Sequence, residues 1–192
     1  MITVARVSLN FKKIVINSFI YFGICFSSYV YATDYTISNG TTQTSRVTLT
    51  NNDTLTVDSG GEIDYTWPAV DADNRTFPAG TTTITNNGII EGNCCVIDIR
   101  SSTNPKLINN GTINGKSSSR TIYANNSVNA TIINNGDITI LGSSNYETID
   151  GDSSSGLTIT NNSGATISSE GDDAIDIENA SNVTITNAGT IS

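Results

Sequence analysis

The chain has 192 residues, a net charge of −9 and no histidine. Without an imidazole it cannot build a serine–histidine catalytic site, and its negative charge argues against binding nucleic acid or an anionic membrane through bulk charge. We therefore expect no nucleic-acid partner and no cofactor.

The first 32 residues have the pattern of a secretory signal peptide. Arg6, Lys12 and Lys13 precede an apolar run over residues 14–31, and small residues end the segment at Ala32. A membrane anchor is the alternative, but the run is short for a spanning helix and is interrupted by polar residues. We expect export by the Sec machinery and cleavage after Ala32. All 18 acidic but only six of the nine basic residues follow that site, so the mature chain would carry a charge of −12.

Residues 33–80 are predicted to form an N-terminal cap and the first turns of the fold. Short strands rich in Val, Leu and Thr alternate apolar with polar residues in the first half of this segment. Prolines and charges then interrupt the pattern over residues 64–80, which we expect to form a loop extruded from the fold. Its aromatic side chains, Tyr65, Trp67 and Phe77, are predicted to pack over the side of the fold or its first turn.

Residues 81–192 repeat the phrase Ile-Thr-Asn-Asn-Gly, or a close variant, every 23–27 residues. A period in this range is typical of a solenoid, in which each small unit stacks on the next. Each unit holds three short segments rich in Ile, Val and Thr, and no segment has helical spacing. The sequence therefore predicts an all-β, right-handed parallel β-helix. The first asparagines of the five copies are Asn86, Asn109, Asn134, Asn161 and Asn187.

The Asn-Asn-Gly phrase is predicted to form a corner of each turn. Asn and Gly tolerate the left-handed backbone conformation that a tight corner needs, and stacked asparagine side chains can hydrogen-bond along the column as an amide ladder. The fourth copy holds two extra residues before its isoleucine, which indicates a bulged corner. The fifth copy has Ala188 in place of the second asparagine, so we expect a weaker ladder there.

Two adjacent cysteines, Cys94 and Cys95, allow a redox or metal site. Two thiols without histidine make a poor metal site, and a bridge between neighbouring cysteines is strained. We favour Cys95 as a small core residue in phase with Ile97 and Ile99.

Acidic residues occupy matching outward positions in successive turns, at Asp98, Asp150 and Asp176. Neighbouring carboxylates could converge on calcium, which binds six to eight oxygens. However, no Lys or Arg follows Arg120, and the calcium-binding nonapeptide repeat is absent. We therefore predict a solvated acidic face and no metal site. The weak candidates for calcium ligands are Asp150, Asp172, Asp173 and Asp176.

One serine stands in a string similar to a nucleophile motif, Gly151-Asp152-Ser153. A serine nucleophile needs a base within hydrogen-bond reach. The chain offers no histidine for that role, so we expect Ser153 to be a turn residue and the protein to be no enzyme.

The opening segments Thr36–Thr42 and Asp53–Gly61, together with the Ile-Thr-Asn-Asn-Gly turns, resemble an autotransporter passenger of the parallel β-helix type. The resemblance implies export across the outer membrane of a Gram-negative bacterium through a C-terminal β-barrel. This chain holds no such barrel, so we expect it to need a partner barrel or to stay in the periplasm.

The leading hypothesis is a non-catalytic adhesive stalk at the cell surface or secreted, which contacts glycans or proteins of host or bacterial cells. One alternative is a secreted parallel β-helix that acts on polysaccharide with calcium. Another is a non-functional truncated reading frame, because the chain stops in the middle of a turn at Ser192.

Overall fold

The structure is a computed structural model that describes residues 10–11, 32–116, 119–142 and 145–192. These ranges contain strands and no helix, and so no helix among them could span a membrane. The predicted signal peptide lies outside the described residues, apart from one short strand and Ala32.

The described chain coils into a right-handed parallel solenoid of about six turns, which confirms the predicted fold. Each full turn contributes one strand to each of three sheets. Sheet 1 contains β1 Asn10–Phe11, β2 Thr33–Ile37, β5 Thr54–Val57, β8 Ile84–Asn86, β11 Lys106–Asn109, β14 Thr131–Asn134, β17 Thr158–Asn161 and β20 Thr184–Asn187. Sheet 2 contains β3 Thr42–Gln43, β6 Glu62–Asp64, β9 Ile89–Gly92, β12 Thr112–Gly115, β15 Asp137–Ile140, β18 Thr166–Ser169 and β21 Thr190–Ile191. Sheet 3 contains β4 Val47–Thr48, β7 Val70–Asp71, β10 Ile97–Asp98, β13 Ile122–Tyr123, β16 Ile149–Asp150 and β19 Ile175–Asp176.

Strands of successive turns pair in parallel, whereas β1 runs antiparallel to β2. The register places like residues on one another, as where Ile113 pairs with Ile90 and with Ile138. The inward side chains form one continuous core along the solenoid axis. Burial of an isoleucine side chain contributes about 1.5–3 kcal/mol, so these columns are the main driving force for coiling. Fully buried members include Leu55, Ile84, Leu107, Ile132, Ile63, Ile90, Ile113, Ile138, Ile97 and Ile122.

An inner ladder of asparagine amides runs along the corner between sheets 1 and 2. Asn86 Nδ2 donates to Asn109 Oδ1 at 2.8 Å, and the same bond joins Asn109 to Asn134 at 2.8 Å. Each amide nitrogen also donates to a backbone carbonyl of the following turn, and each oxygen accepts the backbone N–H of the nearby glycine. The first four members are fully buried, so every polar atom must find such a partner. The ladder continues through Asn161 to Asn187, with donor–acceptor distances of 2.9 Å.

The residue after each inner asparagine forms a second, exposed ladder, and the hydrogen bonds of this ladder run in the opposite direction. Asn110 Nδ2 donates to Asn87 Oδ1 at 2.8 Å, and Asn135 donates to Asn110 at 2.7 Å. Asn162 adds the last bond, and Ala188 has no amide with which to extend it. The missing asparagine thus ends the outer ladder, while the inner bond of that turn keeps its 2.9 Å length.

The physical reason for glycine at this corner differs from the expected one. Neither the asparagines nor the glycine of the corner has a positive φ. Instead, the stacked backbones approach so closely that a Cβ on Gly111 would lie 2.1 Å from the carbonyl oxygen of Gly88. In the fourth copy, the two extra residues form an exposed turn in which Gly164 has a φ of 83°, and Ala165 resumes the stack by accepting from Thr190 N–H.

Residues 64–80 do not leave the solenoid, in contrast to the expected extruded loop. Within this segment β7 pairs with β10 in sheet 3, and Thr76 bridges to Thr103 of the next turn. Phe77 is buried in the core, and Tyr65 packs against it. Trp67, in contrast, is 58% exposed.

The loop was predicted because the asparagine pair before it does not occupy the ladder position. The adjacent pair at residues 51–52 lies in the turn between β4 and β5, where Asn52 has a φ of 73°. The corner position of that turn is taken by Val57, which pairs with Asn86. Because a buried valine stands at the ladder position, this turn lacks the asparagine that marks the corner in the later turns.

Candidate functional site

The outward ends of the sheet 3 strands form a column of four aspartates and one tyrosine. Each aspartate Oδ1 accepts the backbone N–H two residues further on, as where Arg100 N donates to Asp98 at 3.2 Å. The residue after that amide has a positive φ, as at Ser101 with 53°. The aspartates therefore stabilise the left-handed corner by Asx turns, a structural role that we did not predict. In chain order the column is Asp71, Asp98, Tyr123, Asp150 and Asp176.

Arginines neutralise three of these carboxylates. Arg46 contacts Asp71 at 3.1 Å, and Arg100 contacts Asp98 at 3.0 Å. Arg120 is the most enclosed of the three, since it pairs with Glu147 at 2.5 Å and also with Asp150, which is only 1% exposed.

Tyr123 lies between two of these arginines. The guanidinium carbons of Arg100 and Arg120 each lie 4.9 Å from the centre of its ring, and Arg120 also lies 5.1 Å from the ring of Tyr146. Such cation–π contacts fix the planes of the guanidinium groups. The arginines, tyrosines and carboxylates thus form one connected surface cluster.

This cluster borders an open cleft of about 340 Å³. Trp67 and Tyr146 present exposed aromatic surface to it. A cleft of this size lies at the lower end of small-ligand sites, which typically measure about 300–1,000 Å³. Its lining consists of Trp67, Cys94, Cys95, Arg100, Ser119, Arg120, Tyr123 and Tyr146.

Burial shifts the acid–base behaviour of the cluster. It raises the pKa of Asp98 to about 6, although the backbone N–H and the charge of Arg100 act in the opposite direction. Burial also raises the pKa of Glu147, against the lowering effect of Arg120. The pKa of Arg120 is raised, because the charges of Glu147 and Asp150 outweigh the lowering effect of its burial.

The weak calcium candidates do not converge. Asp150 is occupied by Arg120, and Asp172 lies in the turn after β18, where its backbone N–H donates to Ser169. Asp176 ends β19 of sheet 3, whereas Asp173 lies before that strand and accepts from Thr148 N–H through its backbone carbonyl. Among the described residues no group of three or more acidic or cysteine side chains is arranged to hold a metal ion.

Ser153 follows strand β16, whereas the two cysteines precede strand β10. Ser153 is a turn residue with a φ of 54°. Cys95 is buried, but it does not belong to the hydrophobic core that contains Ile97 and Ile99. Its φ of 46° breaks the strand alternation, and its side chain lines the cleft beside Cys94. Cys95 is thus buried, as expected, but its side chain borders the cleft rather than joining the cluster that contains Ile97 and Ile99.

A protein-family model, the BigA third pectate lyase-like domain, matches residues 33–192. The chain belongs to this family. BigA is an autotransporter-like surface protein, so the family supports a bacterial surface or exported setting. No curated protein and no solved structure matched the chain.

The sequence predicted a solvated acidic face, but Asp98 and Asp150 are buried because arginines that the sequence reading missed pair with them. Arg100 and Arg120 come from different turns and reach carboxylates on their own turn and on the next. The signal was available in the register: Arg120 lies two residues before Ile122, and Glu147 lies two residues before its partner Ile149. Aligning the two turns on these isoleucines places Arg120 and Glu147 at the same position of successive turns.

Proposed function

We propose that this domain is an exported, non-catalytic β-helical module that displays a binding surface at or beyond the bacterial cell surface, and that the cleft on sheet 3 is this surface. The observation that carries the proposal is the exposure of Trp67 and Tyr146 around a cleft whose two arginines are held in ion pairs. Exposed aromatic side chains in a concave site are typical of binding surfaces. The expected partners are glycans or proteins of host or neighbouring bacterial cells.

The scaffold supports display because its core and ladders are uniform along the axis. Each turn is held to the next by backbone pairing in three sheets, so the coil forms a stiff support. The outward residues of sheet 3 differ from turn to turn while the inward isoleucines beneath them stay the same.

The cluster supports binding rather than catalysis because its charged groups already have partners. Asp98 and Asp150 each accept a backbone N–H and contact an arginine. A general base must be able to take a proton from substrate, and these groups are engaged within the protein.

Trp67→Ala tests the binding proposal on the full chain. We expect it to abolish or strongly weaken binding to an array of mammalian and bacterial glycans and to whole bacterial cells. Ile89→Ala is the matched control, since Ile89 is 40% exposed but lies on sheet 2. Equal binding by the two variants, or no binding by the unmodified chain to either probe, would contradict the proposal.

A second candidate function is cleavage of polysaccharide, as the pectate lyase-like fold suggests. The specific observation in its favour is Arg120, a basic residue within reach of two carboxylates, Glu147 and Asp150. Incubation with acidic and neutral polysaccharides, with and without calcium, tests it. New reducing ends or unsaturated products that disappear in Arg120→Met would support catalysis, and their absence would remove this candidate.

A further inference from the structure

Cys94 and Cys95 form an unassigned pair of thiols in the wall of the cleft. Both are free, and their Sγ atoms lie 3.0 Å apart. Cys94 is half-buried, whereas Cys95 is buried and has Ser119 Oγ at 3.7 Å from its Sγ. One sulfur is therefore within reach of solvent and the other lies directly behind it.

The backbone at this pair is unusual. Cys95 has a φ of 46°. The other non-glycine residues with positive φ in the described ranges are all asparagine or serine, residues whose side chains can hydrogen-bond to the local backbone in turns. A left-handed cysteine lacks this compensation, so its backbone is strained. Its conformation places the two sulfurs side by side in the cleft.

We propose that Cys94 and Cys95 are a reversible redox site, which closes to a vicinal disulfide when it meets a low-molecular-weight disulfide. The Cys94 thiolate attacks one sulfur of that reagent, forming a mixed disulfide and releasing one thiolate. The Cys95 thiolate then attacks Cys94 Sγ, closing the ring and releasing the second thiol. Two protein thiols are oxidised, and one disulfide is reduced to two thiols.

The order of attack follows from the surroundings of the two sulfurs. Burial raises the pKa of Cys95 to about 12, so its thiolate is scarce and Cys95 is a poor first nucleophile. Its Sγ lies 3.0 Å from that of Cys94, so the small thiolate fraction that forms is already in position for the second step, and its proton passes to water. Cys94 is the sulfur that the reagent can reach, and it acts first.

The resulting bond is easily reduced. Adjacent Cα atoms are about 3.8 Å apart, whereas disulfides usually join Cα atoms separated by roughly 4.4–6.8 Å. Strained disulfides have oxidising potentials and are labile or regulatory. A surface protein meets oxidising surroundings in which such a bond can form. The site does not depend on whether the cleft binds a glycan.

The test uses the full chain carrying Cys25→Ser, which leaves only the adjacent pair. The protein is incubated with oxidised glutathione, alkylated and digested with trypsin. Peptide 76–100 then contains both cysteines. We expect it to escape alkylation and to lack the mass of two hydrogen atoms, and to accept two alkyl groups after treatment with dithiothreitol. The emission of Trp67, the only tryptophan, should fall on oxidation, because a disulfide in the same cleft quenches it.

Cys95→Ser is the matched control, because its Cys94 can react only as far as the mixed disulfide. Glutathione on Cys94 in this variant, with a closed ring in the pair-containing chain, would support the proposal. The proposal is overturned if the pair-containing chain keeps both thiols, stops at the mixed disulfide, or forms disulfide-linked dimers on a non-reducing gel.

Discussion

The corner between sheets 1 and 2 and the outward face of sheet 3 use repetition in opposite ways. At the corner, successive turns place asparagine on asparagine, and each buried amide bonds to the next. On sheet 3, tyrosine replaces aspartate at one level, and arginines from different turns enter the cluster. Strict repetition therefore marks the contacts that hold the coil together, whereas departures from it mark the surface chemistry.

The two regions also differ in how their polar groups are stabilised. The inner ladder is uncharged, and an unpaired buried amide there would cost about 1–3 kcal/mol. The sheet 3 cluster contains charges, whose pairing must offset a larger desolvation penalty. The stability of the corner should therefore depend on close packing, whereas the stability of the sheet 3 cluster should depend on pH.

The largest expected effect is at a corner glycine. Gly111→Ala places a methyl group against the Gly88 carbonyl, where only backbone movement can make room. We expect it to lower the free energy of unfolding by about 3 kcal/mol, measured by urea denaturation.

Gly164→Ala is the control for that substitution, since among the described residues no atom beyond its chain neighbours lies within 4 Å of the added Cβ. Its φ of 83° alone should cost about 1 kcal/mol. If the two alanine variants lost the same stability, the close stacking of the corner would not be the constraint.

Removing Arg120 should have the next largest effect. Arg120→Met leaves Asp150 and Glu147 without their cation, and we expect a loss of about 2 kcal/mol at neutral pH. The loss should shrink as the pH falls, because burial raises the pKa of Glu147 and its protonated carboxyl no longer needs the guanidinium. Arg46→Met removes a more exposed pair and should cost less than about 1 kcal/mol. A loss that did not change with pH would show that Arg120 acts through packing alone.

A smaller effect should appear in the pH dependence of stability near Asp98. Its folded pKa, raised to about 6, lies above the unfolded value of about 4. Between these values the folded state binds more protons than the unfolded state, so stability falls as the pH rises. Below about pH 4 the Asp98 carboxyl is protonated in both states, so it does not change the stability. Above about pH 6 it is ionised in both states, and the full loss of stability is present.

Asp98→Asn should remove this slope while keeping the oxygen that accepts Arg100 N–H. We expect the fall in unfolding free energy between about pH 4 and 7 to be smaller in this variant, by on the order of 1 kcal/mol. Asp137→Asn, which removes an exposed carboxylate on sheet 2, is the control. Parallel pH profiles for the wild-type chain and Asp98→Asn would contradict the raised pKa.

How well the sequence predicts a feature of this protein depends on whether that feature is repeated from turn to turn. The Asn-Asn-Gly phrase gave the solenoid, its period and the isoleucine columns, because each is repeated at nearly constant spacing. The first turns were misjudged because Val57 occupies a ladder position. The pairing of Arg120 with Asp150 and Glu147 depends on the length of one particular turn, and the exposure of Trp67 depends on how one segment folds onto sheet 3. Neither follows from a repeated pattern.

The stacked corner is tested by the hydrogen-exchange rates of individual asparagine side-chain amides, measured by nuclear magnetic resonance. The inner amides donate both to the next asparagine and to a backbone carbonyl, whereas the outer amides are exposed. We predict exchange roughly 100-fold or more slower for the inner set. Equal rates in the two sets would contradict the stacked corner on which the fold depends. The inner set is Asn86, Asn109, Asn134 and Asn161, and the outer set is Asn110, Asn135 and Asn162.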